Sequence, residues 1–479
     1  MKLFFSTFGK ISNYKEVEYS IDYNENTFES SFLPDLMCKA FGVDTTELFL
    51  LDTLVEKNDL LIEDFKYEDI ITSLENKYSD YFKSKDYKGN LNLHIIPGVG
   101  SYKEFRFVGN MNDTYYMTLI QLLNIFSRPE VINSEEIEVM LDISFGINYQ
   151  SNVLYRALMD ILPVLAYFKK VRFKLTNAEP VINTSAEGKN KIKVYVVEEK
   201  VFEQSISYRK DFAKKTISVF RGLSVNERKE VGKNYIGEFE KRLRNEKNMG
   251  LNNVFLNLEL YLKSIYYGLP LLYLYAMNGA DFKYVVDKSL EVYNSAIEIR
   301  DSDENLKMVL RKLEFSEDIK YLVLGSMFKI YFENLYGKIC CKEIPYDELK
   351  KLSNFIWKID EFKNQISLVL EKEIKEIESL LDYIEEDEEI LFDLEKLKSR
   401  KNESIEDEIK IEDEKVKEEP EFEKDESKKQ NSKENSSRKE RNFLAHGSLS
   451  KNTFYLRKCN SVVYIRLNEE KIYELGKAV

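Results

Sequence analysis

Histidine, cysteine and tryptophan are scarce in this 479-residue sequence, with two, four and one copies. Cys38, Cys340, Cys341 and Cys459 form no CxxC pair, and neither His94 nor His446 stands at metal-ligand spacing from them. That argues against a structural zinc site, and no metal is expected. Long apolar runs are missing too: the best candidate, Tyr266 to Met277, is about half of the roughly 20 residues that a membrane span needs. The opening MKLFFSTFG is too short for a signal peptide and reads as a first buried strand. A soluble, reducing, cytoplasmic setting without a membrane partner is the expectation. P-loop, GxGxxG, GxSxG and HExxH patterns are absent, which removes the usual kinase, dehydrogenase, hydrolase and zinc-protease readings. Gly98 and Gly100 make only a GxG, for which a strand-end turn is sufficient.

Apolar residues are plentiful. A hydrophobic share of 43%, with 31 Tyr and 30 Phe, is enough to fill the two domains that this length predicts. The net charge of -13 is unevenly spread. Of 84 acidic and 71 basic residues, 25 and 13 lie between Glu376 and Glu440, leaving 59 and 58 elsewhere. The body of the chain is therefore close to neutral, and basic patches for nucleic acid can exist on it.

Residues 1–200 alternate strand-like and helical runs. Strands are expected at Leu3 to Phe8, Glu16 to Tyr23, Glu47 to Leu54, Leu91 to Ile96, Phe105 to Val108, Ile137 to Ser144, Val171 to Thr176 and Ile192 to Val197. Helices are expected near Ser31 to Ala40, Asp113 to Phe126 and Asn152 to Phe168. Such alternation predicts a doubly wound, Rossmann-like α/β domain. Over residues 201–479 helical spacing dominates, at Phe212 to Leu243, Val254 to Met277, Leu306 to Tyr336 and Leu349 to Leu397, and an all-helical domain is expected. It carries a charged insertion at 376–437, whose stretch from Lys401 reads as flexible or helical. Thr453 to Leu467 reads as a hairpin before a last short helix.

Candidate chemistry sits in Ser437 to Gly447. Ser437 and Glu440 form an S-x-x-E capping box, so a helix of about nine residues should start at Arg438, and Gly447 suits the left-handed position that ends it. Arg441, Asn442 and His446 then occupy the end of that helix. On a helical wheel Asn442 and His446 share a face, whereas Arg441 and His446 are separated by about 140°. A macrodipole role for His446 and surface roles for Arg441 and Asn442 remain open at this point.

Arg441-Asn-Phe-Leu-Ala-His446 resembles the R-x(4–6)-H signature of the HEPN superfamily of ribonucleases. Three N-terminal places extend the likeness. Phe8-Gly9 resembles an aromatic-Gly turn after the first strand, Leu141 to Tyr149 resembles a D-x-[ST]-x-G-x-N-[YF] segment, and Asn177-Ala-Glu-Pro180 resembles an N-x-E-P segment. Together they resemble the CARF-HEPN effectors of type III CRISPR systems, which cyclic oligoadenylates activate. The resemblance implies a sensor domain at 1–200 and a helical ribonuclease domain at 201–479. It also implies a ligand site at Phe8, Gly9, Ser144, Phe145, Gly146, Asn148, Tyr149 and Asn177. Ser144, Gly146, Asn148 and Asn177 fall at or beyond expected strand ends, where open α/β sheets bind ligands, although ordinary βα turns gather the same residue types. Phe145 stands where many relatives carry histidine, so that residue's polar contact is not carried over.

The same resemblance implies an activator, with cyclic tetra-adenylate the preferred ring, a single-stranded RNA substrate, and a homodimer or higher even-numbered oligomer. It further implies metal-independent cutting by 2'-OH attack, with His446 as base or acid, Arg441 holding a non-bridging phosphate oxygen and Asn442 positioning one of them. Two rivals remain: a nucleotide-sensing regulator that binds nucleic acid without cutting it, and a HEPN toxin ribonuclease that needs no activator.

Overall fold

Successive side chains of a strand point to opposite faces, and along Lys2–Thr7 (β1) both faces are covered. Phe4 enters a core with Leu36, Met37 and Phe41, while the Phe5 ring lies 5.9 Å from that of Phe126. An unbroken apolar run is what a strand buried on both sides requires. The computed structural model describes residues 1–14, 17–60, 64–144, 148–180, 191–207, 219–222, 227–247, 250–277, 281–301, 306–337, 343–358, 365–412 and 441–478.

The strands that follow β1 are β2 (Glu18–Tyr23), β3 (Asn26–Ser30), β4 (Thr45–Leu51), β5 (Asn90–Ile96), β6 (Gly100–Tyr102), β7 (Phe105–Val108), β8 (Glu136–Asp142), β9 (Lys170–Ala178) and β10 (Lys191–Val201). Among them lie α1 (Leu33–Phe41), α2 (Tyr67–Ser84), α3 (Asn112–Phe126), the single turn α4 (Pro129–Ile132) and α5 (Asn148–Leu165). Eight strands form one sheet in the order β3-β2-β10-β9-β8-β1-β4-β5. β8, β1, β4 and β5 run parallel, whereas β10 is antiparallel to β9 and β3 to β2. Helices α1 and α2 cover one face and α3 and α5 the other, so the N-terminal sheet is doubly wound as expected. Helix α2 was not among the expected helices, although Ile70, Leu74, Tyr78 and Phe82 recur every fourth residue on its buried side.

The second half is not all-helical. After β11 (Phe220–Gly222), α6 (Glu227–Lys247), α7 (Leu251–Tyr267), α8 (Pro270–Met277) and α9 (Phe282–Ser295) come three more strands. These are β12 (Ile297–Asp301), β13 (Lys307–Arg311) and β14 (Leu313–Phe315), followed by α10 (Asp318–Tyr336). β13 pairs in parallel with β7, in a four-stranded sheet β12-β13-β7-β6, so Phe105–Val108 is a strand as expected but of this other sheet. Three- to five-residue strands next to a 19-residue helix are easily absorbed into its periodicity. The expected helix Val254 to Met277 is two helices, because Gly268 adopts φ +67° and Pro270 opens α8.

The chain divides into two compact units, one of Met1–Ile206, Ala213–Val254 and Asp281–Gly337, and another of Ser207–Phe212, Phe255–Ala280 and Lys338–Val479. That division differs from a single cut at residue 200. In the second unit β15 (Glu343–Pro345), α11 (Tyr346–Trp357), α12 (Gln365–Glu378), β16 (Glu389–Leu391) and α13 (Leu394–Glu412) precede a short helix at 441–445 (α14). The hairpin β17 (Phe454–Cys459) and β18 (Val462–Leu467) and the last helix α15 (Glu469–Ala478) follow. Hairpin and final helix match expectation. The charged stretch that begins at residue 376 contributes to the core: Ile377, Leu380, Ile384, Phe392 and Leu397 are buried, and β16 pairs with β17. Lys401 to Glu412 is helical, and residues 413–440, with the Ser437 capping box, lie outside the described residues. No described helix is long and apolar enough to cross a membrane.

Candidate ligand crevice and active site

Among the parallel strands, β4 and β5 lie on one side of β1 and the later β8 on the other, so the C-terminal ends of β1 and β8 flank a topological switch point. Phe8 and Gly9 leave β1 there. Phe8 N–H donates to the Phe49 carbonyl, and its ring stacks on Tyr14 with centroids 4.0 Å apart. Gly9 N–H donates to the Tyr14 hydroxyl, and the Tyr78 hydroxyl donates to the Gly9 carbonyl, both at 2.9 Å. Two tyrosines therefore hold the aromatic-Gly turn at both of its backbone polar groups. Beside it opens a cavity of about 440 Å³, lined by Ser6, Phe8, Tyr14 and Tyr81, with Lys85 and the acidic Glu18 and Glu29. Aromatic walls with hydroxyls and one ammonium suit a base and its phosphate, and the volume lies in the range of small-molecule sites.

At the end of β8 the Asp142 carboxylate is fully buried. It accepts from Ser144 N–H at 3.0 Å and from the hydroxyls of Ser144 and Thr176 at 2.8 Å. Burial pushes its pKa up to about 6, against those three donors. The Ser144 hydroxyl also accepts from Ala178 N–H at 2.7 Å, so it already makes one donated and one accepted bond inside the protein. Ser144 thus joins the ends of β8 and β9, a tie that the D-x-S spelling did not by itself reveal. Asn177 is exposed on β9 opposite Tyr195, and Tyr149 is half-buried in the first turn of α5. Asn148 begins that helix. Phe145, Gly146 and the Asn148 side chain lie outside the described residues.

In the second unit, α14 ends as its sequence predicts. Gly447 has φ +54°, Ser448 N–H reaches the Phe443 carbonyl at 2.8 Å, and Gly447 N–H reaches that of Leu444 at 3.2 Å. This is the Schellman pattern of a helix C-terminus. Phe443 is fully buried and anchors the helix, while Arg441 and Asn442 on the same turn are exposed. A Cβ at residue 447 would come within 2.5 Å of Leu370 Cδ2, so the absent side chain lets α12 approach the turn closely.

That approach brings in a residue missed from sequence. The His446 side chain is 40% exposed, and its Nδ1 lies 2.9 Å from Oε1 of Glu373, a carboxylate only 8% exposed. Glu373 occupies the buried stripe of α12 with Ser367, Leu370, Ile374 and Ile377. An acid in an apolar stripe was the available signal. The structure thus brings His446 together with Glu373, leaves Arg441 and Asn442 solvent-facing on the same helix, and places the Phe8, Asp142 and Asn177 region in the other unit.

Residues 3–180 match the family model described as CRISPR system endoribonuclease Csx1, CARF domain. The N-terminal region is similar to a CARF domain. Its matched span runs from β1 to the end of the Asn177-Ala-Glu-Pro180 segment, so it contains both flanks of the switch point. Over 400 residues, 81% of this chain and 78% of the relative, the sequence is 26% identical to the CRISPR system endoribonuclease Csx1 of Methanocaldococcus jannaschii. That similarity extends well beyond the residues that match the CARF model.

Proposed function

We propose that this chain is a CRISPR-associated endoribonuclease in which the CARF domain binds a cyclic oligoadenylate and thereby activates a HEPN-like site at His446. The observation that carries the reading is one chain joining a CARF domain to a helix end where a half-exposed histidine stands near an exposed arginine and asparagine. The name of the Methanocaldococcus relative supports the same class of activity.

The substrate in this reading is single-stranded RNA. A 2'-oxygen attacks the adjacent phosphorus as its proton passes to a base, and the phosphorus to 5'-oxygen bond breaks as that oxygen takes up a proton. His446 transfers a proton, since an imidazole does so readily near neutral pH. Arg441 offers its guanidinium to a non-bridging oxygen, where negative charge grows in the transition state, and Asn442 orients either group. The products carry a 2',3'-cyclic phosphate, or its opened form, and a 5'-hydroxyl, with no step assigned to a metal. Because Arg441 and His446 are about 140° apart on one helix, two copies of α14 meeting across a dimer axis complete a compact pocket.

Asn148 and Asn177 are assigned to the activator, for which cyclic tetra-adenylate is the preferred ring. Replacing both with alanine should raise the ring concentration for half-activation by roughly 5- to 150-fold, two uncharged hydrogen bonds costing about 0.5 to 1.5 kcal/mol each. Saturating ring should restore the full rate. An activation curve measures this, and an unchanged midpoint would place the activator elsewhere.

A further inference from the structure

The geometry points to Glu373 as the positioning residue of the His446 site, a role that deepens the ribonuclease reading and rests on it. Among the described residues His446 pairs with this buried carboxylate, and the contact is made through Nδ1 at 2.9 Å. An ionised carboxylate only accepts hydrogen bonds. At that distance an Nδ1 lone pair facing the carboxylate oxygens would be repelled, so the contact favours a proton on Nδ1 in the neutral as well as the charged ring. The neutral ring is then the Nδ1–H tautomer. Its free lone pair sits on Nε2, at the edge of the ring remote from Glu373, which is the nitrogen available to take the 2'-OH proton. Once Nε2 is protonated, the carboxylate stabilises the imidazolium that forms.

The surroundings hold Glu373 in place. Leu370, Ile374 and Ile377 are fully or almost fully buried and fix the helix that carries it, and Gly447 admits that helix to the turn beside His446. Two adjacent turns of α12 thus serve one arrangement: Leu370 meets the glycine that ends the catalytic helix, and Glu373 meets the histidine just before it. A carboxylate kept in this stripe for packing alone would be poorly matched to its apolar neighbours.

The chain contains two histidines, which makes a direct test practicable. In a spectrum of 15N-histidine-labelled full-length protein above neutral pH, the signal that disappears in His446→Ala should report the Nδ1–H tautomer in wild type. Glu373→Leu should shift the neutral ring away from that tautomer. Glu373→Gln, close in shape but uncharged, should lower kcat for RNA cleavage by at least roughly 10-fold, and by up to about 10,000-fold if it matters as much as the carboxylate that orients the histidine of a catalytic triad, with KM little changed. A wild-type His446 protonated on Nε2 would overturn the assignment without requiring either Glu373 variant to fold, and an unchanged kcat in Glu373→Gln would overturn it as well. Because the tautomer is read without substrate, its result stands apart from the ribonuclease reading, which fails separately if His446→Ala still cleaves RNA.

Discussion

Replacing His446 by alanine is expected to lower RNA cleavage by roughly 100- to 10,000-fold, the usual contribution of a general acid or base, while binding of cyclic oligoadenylate is retained. The side chain is 40% exposed, so truncation opens no core cavity, and the Schellman turn after it is made by backbone groups that alanine keeps. The loss should appear in kcat, because proton transfer is an interaction made in the transition state. The expected cost is confined further because the candidate crevice beside Phe8 belongs to the other compact unit. Single-turnover cleavage and ring binding, measured side by side, check both halves of this expectation. A loss below roughly tenfold would remove His446 from the mechanism.

The largest stability effect is expected at Arg311. Asp52 and Arg311 are both buried, and an ion pair joins one carboxylate oxygen to Nη2. Around that pair Gly98 N–H donates to Asp52 at 2.8 Å, the Tyr67 hydroxyl donates to it at 2.8 Å, and Arg311 Nη1 donates to the Gly98 carbonyl at 2.7 Å. Burial raises the Asp52 pKa, opposed chiefly by the charge of Arg311. Removing the guanidinium leaves a fully buried carboxylate without its counter-charge, which typically costs about 3 to 5 kcal/mol. For a unit of this size that corresponds to a fall in Tm on the order of 10 °C. Arg311→Leu combined with Asp52→Asn should recover much of the loss, since neither charge is then buried alone. Thermal unfolding of the two single variants and the double decides the matter. A single variant within about 1 kcal/mol of wild type would mean that the pair is not the lock described here.

This pair also marks where the sequence was hard to read. Asp52 follows β4 and Arg311 ends β13, 259 residues later. The adjacent Asp113, whose pKa burial pushes up to about 7, accepts from Phe315 N–H and the Tyr293 hydroxyl. Residues 293–315 therefore belong with the N-terminal sheet's unit, a tie made by long-range polar contacts that no local pattern announces. By contrast, the doubly wound sheet was legible because β1, β4 and β8 each carry three or four adjacent apolar residues, Leu3 to Phe5, Leu48 to Leu51 and Val139 to Leu141, as a strand covered on both faces needs. Short half-buried strands such as Lys307–Arg311 carry weaker signals, and the helix expected from Leu306 to Tyr336 absorbed them.

The candidate sites divide in the same way. Phe8, Gly9 and His446 could be located because strand ends and helix ends leave sequence marks: an apolar run that stops, and a glycine in the position that closes a helix. The side chains that set their surroundings could not. Tyr14 and Tyr78 reach Gly9 from a later turn and from α2, and Glu373 reaches His446 from a helix more than 60 residues earlier in the chain. Ser144 fell at the expected strand end, yet its hydroxyl is engaged with Asp142 and Ala178, so Asn177 is the better exposed of the two for meeting a ligand.

The central claim joins a sensor to a metal-independent ribonuclease, and one measurement addresses both parts. Full-length protein is incubated in EDTA with a single-stranded RNA, with and without cyclic tetra-adenylate, and the product ends are identified. Cleavage that appears only with the ring, leaving 5'-hydroxyl and 2',3'-cyclic phosphate or opened ends, is the predicted result. Cleavage of equal rate without the ring, dependence on a divalent metal, or 5'-phosphate ends would contradict it.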